Sequence, residues 1–234
     1  MTVAMPKTEK SPVFSARLVA VAVAFAACLI VSNIVAVKIV MVGGLVLTAA
    51  IIVFPIGYII GDVLTEVYGF KTARRVIWLG FGANLFVVAA IAGAQALPAA
   101  PFWTKDAEFD AILGHAPRIL IASFAAFLVG EFANSYILAK MKIATGGRWL
   151  WTRTIGSTVV GQGLDTVVFL TIAFWGVMPG GVLMEAIAVQ WLVKCAYEAL
   201  ATPATYAVVG YLKRAEGVDV YDRGTRFNPF ALAS

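Results

Sequence analysis

Ten side chains in this sequence have types and spacings suited to holding a ligand inside an otherwise apolar chain: Asn33, Asp62, Glu66, Tyr68, Glu131, Asn134, Gln162, Asp165, Lys194 and Glu198. Asp62/Glu66, Glu131/Asn134, Gln162/Asp165 and Lys194/Glu198 are three or four residues apart, so each pair shares one face of a helix. Asp62 and Glu66 would lie about 40° from each other around the helix axis. Such a face cannot look into lipid, because an ionised side chain at that depth costs roughly 3 kcal/mol even on insertion scales. It must look into protein or a polar cavity. The five carboxylates of this set outnumber its one ammonium, so the interior can accept a ligand that brings hydrogen-bond donors, or it keeps some acids protonated.

The elements that position these residues follow from composition. Of 234 residues, 61% are hydrophobic and 13% charged, which is a bilayer composition and leaves no room for a separate soluble domain. A hydrocarbon core about 30 Å thick takes roughly 20 apolar residues per helix. Six spans are expected, at residues 18–37, 44–68, 76–97, 118–139, 154–178 and 185–212. They make one transmembrane domain, 18–212, between a cytoplasmic N-terminal segment, 1–17, and a cytoplasmic C-terminal tail, 213–234. The first apolar run lacks a small-residue cleavage site and is taken as a retained span. Pro55 and Gly57 are expected to break the second span, and Gly69 to turn the chain after it. The segment between Pro98 and Pro117 is the one sizeable loop, with His115 a solvated residue in it. The tail is expected to lie on the membrane surface or to be loosely ordered.

The formal net charge of +5 reads here as a topology signal and not as a nucleic-acid footprint. With both termini inside, Lys7, Lys10, Arg17, Lys71, Arg74, Arg75, Lys140, Lys142, Arg148, Arg153, Lys213, Arg214, Arg223 and Arg226 fall on the cytoplasmic side, leaving Lys38, Lys105 and Arg118 outside. Trp78, Trp149, Trp151 and Trp175 fall near span ends, as an interfacial belt requires. Cys28 and Cys195 lie in apolar runs and read as packing residues, neither a disulfide framework nor a metal site. There is no Gly-x-x-x-x-Gly-Lys-Ser/Thr phosphate loop, no His-Glu-x-x-His pair and no Gly-x-Ser-x-Gly elbow, which removes ATP hydrolysis by this chain and the commoner intramembrane hydrolases. No cofactor is called for.

Structural readings compete for several of these residues. Lys194 and Glu198 can neutralise each other as a buried pair. Asp62 and Glu66 can pair with Arg74 or Arg75 at the interface. Asn134 and Gln162 can be interhelical hydrogen-bond glue, and Gly57/Gly61 and Gly156/Gly161 can mark close helix contacts. Asn33 can cap its helix. Glu131 and Asp165 can approach each other across spans.

Gly61-Asp62-Val-Leu-Thr-Glu66-Val-Tyr68-Gly69, Glu131-Phe-Ala-Asn134-Ser135, Arg153-Thr-Ile-Gly156-Ser157 with Gln162-Gly-Leu-Asp165-Thr166, Lys194-Cys-Ala-Tyr-Glu198 with Pro203-Ala-Thr205-Tyr206, and Glu216-Gly-Val-Asp219-Val-Tyr221-Asp222 resemble the bacterial queuosine precursor transporters, a family also catalogued under vitamin uptake. The resemblance covers about residues 33–222. It implies a multi-pass protein of the bacterial inner membrane that imports 7-cyano- or 7-aminomethyl-7-deazaguanine for tRNA modification. It also implies an all-α polytopic fold like the six-helix substrate-binding components of energy-coupling vitamin importers. A guanine-like edge offers an N–H and an amino group that Asp165 or Glu198 can accept together, while its ring oxygen needs a donor such as Lys194, Gln162 or Asn33. Tyr68, Phe169 or Tyr206 could stack on the ring. The partners expected are that small molecule, membrane lipid and, for a short six-span carrier, a second copy in a homodimer; nucleic acid is not one. Two other classes stay open at this point: a substrate-capturing subunit of an ATP-driven importer, and an intramembrane enzyme using the carboxylates as acid and base.

Overall fold

The computed structural model describes residues 15–43, 45–114 and 117–231. His115 and residues 1–14 of the N-terminal segment lie outside the described residues. Helix α1 (Ala16–Val35) starts where the Ser15 hydroxyl accepts a hydrogen bond from the Leu18 N–H at 3.0 Å, a side-chain N-cap. An antiparallel pair of short strands follows, β1 (Ile39–Val42) and β2 (Leu45–Thr48), with Ile39 opposite Thr48 and Val42 opposite Leu45. A 3-10 turn, Ala49–Ile52, leads into α2 (Phe54–Gln95). The second apolar run, expected as helix, is therefore strand over Leu45–Thr48. Pro55 lies in the first turn of α2, where its missing N–H costs nothing, so it opens the helix and does not break it.

The 42 residues of α2 would span about 63 Å if straight, twice the hydrocarbon thickness. They are not straight. Gly69 has φ 80° and ψ 165°, a conformation that L side chains avoid, and Phe25 of α1 shows what the break does. A methyl group placed at Gly61 would lie 3.6 Å from that ring, and one at Gly80 would lie 3.1 Å from it. One ring touches both positions only if the two halves of α2 run back alongside each other. The second half begins at Phe70, so Lys71, Arg74 and Arg75 belong to it and do not form a loop.

The segment expected as a loop contains a short helix, α3 (Asp106–Leu113), followed by α4 (Pro117–Ala144), α5 (Leu150–Phe174) and α6 (Gly180–Glu216). Helices α4 and α5 touch backbone to backbone. A methyl at Gly130 would fall 2.8 Å from the Asp165 Cβ and 3.1 Å from the Gly161 carbonyl oxygen, and one at Gly161 would fall 2.7 Å from the Asn134 Cβ. Only glycine fits there, and this contact sets Glu131 and Asn134 beside Gln162 and Asp165. Among the described residues, four helical stretches are long and apolar enough to cross a membrane: Ala16–Val35, Ala49–Gln95, Asp106–Ala144 and Leu150–Phe174. Apart from the strand pair, the protein is a helical membrane protein. Trp149, Trp151 and Trp175 are exposed near the two ends of α5.

The tail packs on the protein's own helices. Val220 N–H donates to the Val67 carbonyl at 3.2 Å, and Asp222 accepts from the Phe70 N–H at 2.9 Å. These are groups that the break at Gly69 removes from the helical hydrogen-bond ladder. Arg74 reaches the carbonyls of Arg226 and Asn228 at 3.0 and 2.8 Å, and the Trp78 indole N–H donates to Pro229 at 2.8 Å. Phe227 packs on Phe70 and Tyr136. Gly69, Arg74 and Trp78 thus meet the tail, which straps the turn of α2.

Candidate functional site

Phe54, Tyr58, Asp62 and Glu66 recur every fourth residue on the first half of α2. Each step is about 6 Å of rise on one face. The stripe threads three polar levels of the bundle, and the residues predicted from sequence divide among them.

The first level is a cavity of about 150 Å³ at the end of the bundle that carries the strand pair. Asn33 of α1, Thr48 and Ile51, Phe54, Ser123 and Phe127 of α4, Asp165 and Phe169 of α5, and Gln190 and Lys194 of α6 line it. Lys194 Nζ donates to Asp165 Oδ2 at 2.6 Å and to the Thr166 hydroxyl at 3.2 Å, and lies 4.5 Å from the Phe54 ring centroid. The partner of Lys194 is therefore Asp165, on a neighbouring helix, and not Glu198 on its own. An interior already supplied with a carboxylate on α5 favours the pair whose atoms converge across the cavity wall. Two amides, one ion pair and three phenyl rings form a site that can stack on a planar molecule and bond its polar edge.

The second level is closed. Tyr58, Asp62, Glu131, Asn134, Gln162 and Glu198 are each 5% exposed or less. Asn134 Nδ2 donates to Asp62 Oδ1 at 2.6 Å. Asp62 Oδ2, Glu131 Oε2, Asn134 Oδ1, Gln162 Oε1 and Glu198 Oε1 are buried with no hydrogen-bond partner. A smaller hollow of about 20 Å³ joins the levels: Ser32, Phe54 and Phe127 line both spaces, and Cys28, Tyr58 and Glu131 line the hollow alone.

The third level is an ion network around Glu66, which is fully buried. Arg153 grips its carboxylate with two bonds of 2.7 and 2.8 Å, a fork-on-fork geometry. Lys213 binds the same carboxylate, and Lys142 binds the Glu66 backbone carbonyl and Asp219. Lys213 also reaches Asp219 at 2.8 Å. Partial burial alone would raise the Asp219 carboxyl, yet Lys142 and Lys213 outweigh it and hold it below the usual carboxylate range. The expected pairing of Asp62 and Glu66 with Arg74 or Arg75 is thus replaced: Glu66 takes Arg153, Lys142 and Lys213, and Arg74 turns to the tail. Arg153 is the fourth residue of α5 and reaches across to Glu66 of α2.

Of the ten predicted residues, the cavity gathers Asn33, Asp165 and Lys194; the closed level gathers Asp62, Glu131, Asn134, Gln162 and Glu198. Glu66 lies in the ion network. Tyr68 packs in the apolar core with Val67, Val209 and Leu212, on another face from the stripe. Phe54, Tyr58, Gln190, Lys142 and Arg153 were not among the predicted site residues. Extending the four-residue stripe of Asp62 and Glu66 backwards would have found the first two.

Residues 48–208 match the family described as "Putative vitamin uptake transporter". The chain is 30% identical over 177 residues to the "Probable queuosine precursor transporter" of Bacillus subtilis (strain 168), covering 75% of this chain and 77% of that protein. It is 26% identical over 122 residues to the "Queuosine precursor transporter" of Escherichia coli (strain K12), covering 52% of each. A third similar protein, the "Probable queuosine precursor transporter" of Haemophilus influenzae, is 27% identical over 122 residues, 52% of this chain and 49% of that one. The match therefore spans about half the length of the latter two relatives. No solved structure matches the chain.

Proposed function

This chain belongs to the family described as "Putative vitamin uptake transporter", a family of membrane transporters and not of enzymes, and we propose on that footing that it carries 7-deazaguanine precursors of queuosine across the bacterial inner membrane. The observation that carries the reading is the cavity in which the Lys194–Asp165 pair, the amides of Asn33 and Gln190 and the rings of Phe54 and Phe169 converge. Asp165 accepts the N–H and amino group of the guanine-like edge, and Lys194, released from it, donates to the ring oxygen. Phe54 or Phe169 stacks on the ring. A cavity of this volume accepts a single aromatic ring with little adjustment, as about 150 Å³ holds benzene, and a bicyclic base requires the side chains at its rim to part.

The two halves of α2 count as separate passes, which with α1, α4, α5 and α6 gives six, both termini on the cytoplasmic side. Basic residues cluster at the end holding the Glu66 network, so the cavity faces outward and the network closes the cytoplasmic end. Transport then requires the network to part while the cavity closes. The purified chain in liposomes, without nucleotide or partner, is expected to take up labelled 7-cyano-7-deazaguanine, and an analogue lacking the exocyclic amino group is expected to compete at least tenfold less well. Equal competition by that analogue would remove the assigned edge contact. Absence of uptake by the chain alone would remove the carrier reading.

A further inference from the structure

The closed level beneath the cavity is short of hydrogen. Five of its orphan atoms, Asp62 Oδ2, Glu131 Oε2, Asn134 Oδ1, Gln162 Oε1 and Glu198 Oε1, are carboxylate or amide oxygens that accept, and against them the level holds one unpaired hydroxyl donor, Tyr58. Three are carboxylate oxygens, from α2, α4 and α6. The cations of the bundle are engaged above and below: Lys194 with Asp165, and Lys142, Arg153 and Lys213 with Glu66. Leaving a buried acceptor unpaired is costly, more so for a charged one, so this level is built for a species that supplies positive charge and hydrogen together. Among the described residues no group of three or more His, Cys, Asp or Glu side chains is arranged to hold a metal ion. The space leading in is small. The hollow of about 20 Å³ between the cavity and Glu131 is walled mainly by Phe25, Phe54 and Phe127, with Ser32 and Tyr58 as its hydroxyls, and admits one water and nothing larger.

We propose that Glu131 is a proton-binding site loaded from the cavity through this hollow, and that the protein is a proton–base symporter. The inference rests on the carrier reading above and adds its energy source. A proton leaves water on the cavity side, passes by way of a water held between the Ser32 and Tyr58 hydroxyls, and converts the Glu131 carboxylate to the acid. The new O–H donates to a neighbouring orphan oxygen, and the negative charge of the level falls by one. When the opposite end opens, the proton returns to water there and the carboxylate is restored. The titratable groups that face or adjoin this level are Cys28 from α1, Tyr58 and Asp62 from α2, Asp165 from α5, and Lys194 and Glu198 from α6. Asp165 is held by Lys194 and stays with the base site. Glu66, ringed by three cations, stays ionised and seals the far end.

The test uses the purified full chain in liposomes with labelled 7-cyano-7-deazaguanine. An inward proton gradient, acid outside by about one and a half pH units, is expected to accumulate the base at least tenfold over its external concentration, and a trapped pH dye is expected to report proton entry only when base is added. The Glu131→Gln variant is expected to lose gradient-driven accumulation while still exchanging external for internal base. Base exchange by wild type with no response to the pH gradient and no base-dependent proton entry would overturn the proton inference and leave the carrier reading intact. Accumulation driven by a sodium gradient at constant pH would overturn it as well, assigning the level to a metal cation. Neither exchange nor uptake by wild type would overturn both readings. The dye measurement on wild type decides the symport even where the Glu131→Gln variant fails to fold, and Glu131→Asp, which keeps an acid there, is expected to keep base-dependent proton entry; its loss in a folded Glu131→Asp with base exchange intact would overturn the assignment to an acid at this position.

Discussion

The carboxylate of Asp222 accepts the backbone N–H of Phe70 at 2.9 Å, so a residue of the tail caps the helix that restarts after Gly69. Side-chain caps and hydrogen bonds to charged groups contribute about 1–3 kcal/mol, and this one is buried. Asp222→Ala is expected to lower the melting temperature in detergent by about 2–12 °C, at roughly 2–4 °C per kcal/mol for a chain of this size. Asp222→Asn, which keeps an acceptor, is expected to lose less. Equal losses in the two variants would show that the cap is not what Asp222 contributes.

Glu66 and Arg153 form the bidentate pair at the centre of the closing network. Removing one partner leaves the other charge buried, which costs about 3–5 kcal/mol. Arg153→Met and Glu66→Gln are each expected to reduce thermal stability sharply. The double variant is expected to be more stable than the sum of the two losses predicts, with a coupling of about 1–3 kcal/mol. Additive losses would mean that Lys142 and Lys213 carry Glu66 without Arg153.

Asp165 is the acceptor assigned to the base edge. Asp165→Asn replaces an acceptor with a donor toward the amino group and also strips Lys194 of its counter-charge. Affinity for the base, read by titration or by competition for uptake, is expected to fall at least tenfold, equivalent to about 1.4 kcal/mol. Glu66→Asp, outside the cavity, is expected to change affinity by much less than Asp165→Asn. Unchanged affinity in Asp165→Asn would move the base out of this cavity.

The Asp219 carboxyl, held low by Lys142 and Lys213, sets a pH window. A carboxylate whose folded value lies below its unfolded value of about 3.9 adds stability above that value, and the addition disappears as pH falls through the lower, folded value. The gap in melting temperature between wild type and Asp219→Asn is therefore expected to be open at pH 5–7 and to close as pH drops below about 4. The gap should be small, because the side chain is 42% exposed and solvent screens the contact. A gap that widens on acidification would reverse the assignment.

The helical membrane class was legible in the sequence because composition and run length determine it, and the family was legible in the block around Asp62 and Glu66. The strand pair was not. Ile39–Val42 and Leu45–Thr48 are short, uninterrupted apolar runs, and periodicity cannot separate such a run from buried helix. The turn at Gly69 was visible as a glycine beside charge, but its partner, the tail, reads as a polar segment whose contacts are all distant in sequence. The spacing rule found pairs sharing a helix face and overvalued them. Lys194 and Glu198 do share a face, yet bonding is decided by what neighbouring helices present, and Asp165 was nearer. The stripe from Phe54 to Glu66 shows why the acids belong to different levels: each four-residue step moves about 6 Å along the axis, too far for one small molecule to touch them all.

Phe70 and Asp222 are 152 positions apart, which gives the strap a consequence for biogenesis. A further 152 residues are made after Phe70 before its acceptor exists, so the bend in α2 must enter the bilayer with its amide still hydrated at the interface. A nascent chain stalled before residue 222 holds all its lipid-crossing helices yet lacks the fastening that completes the bend, and quality-control proteases would meet it in that state.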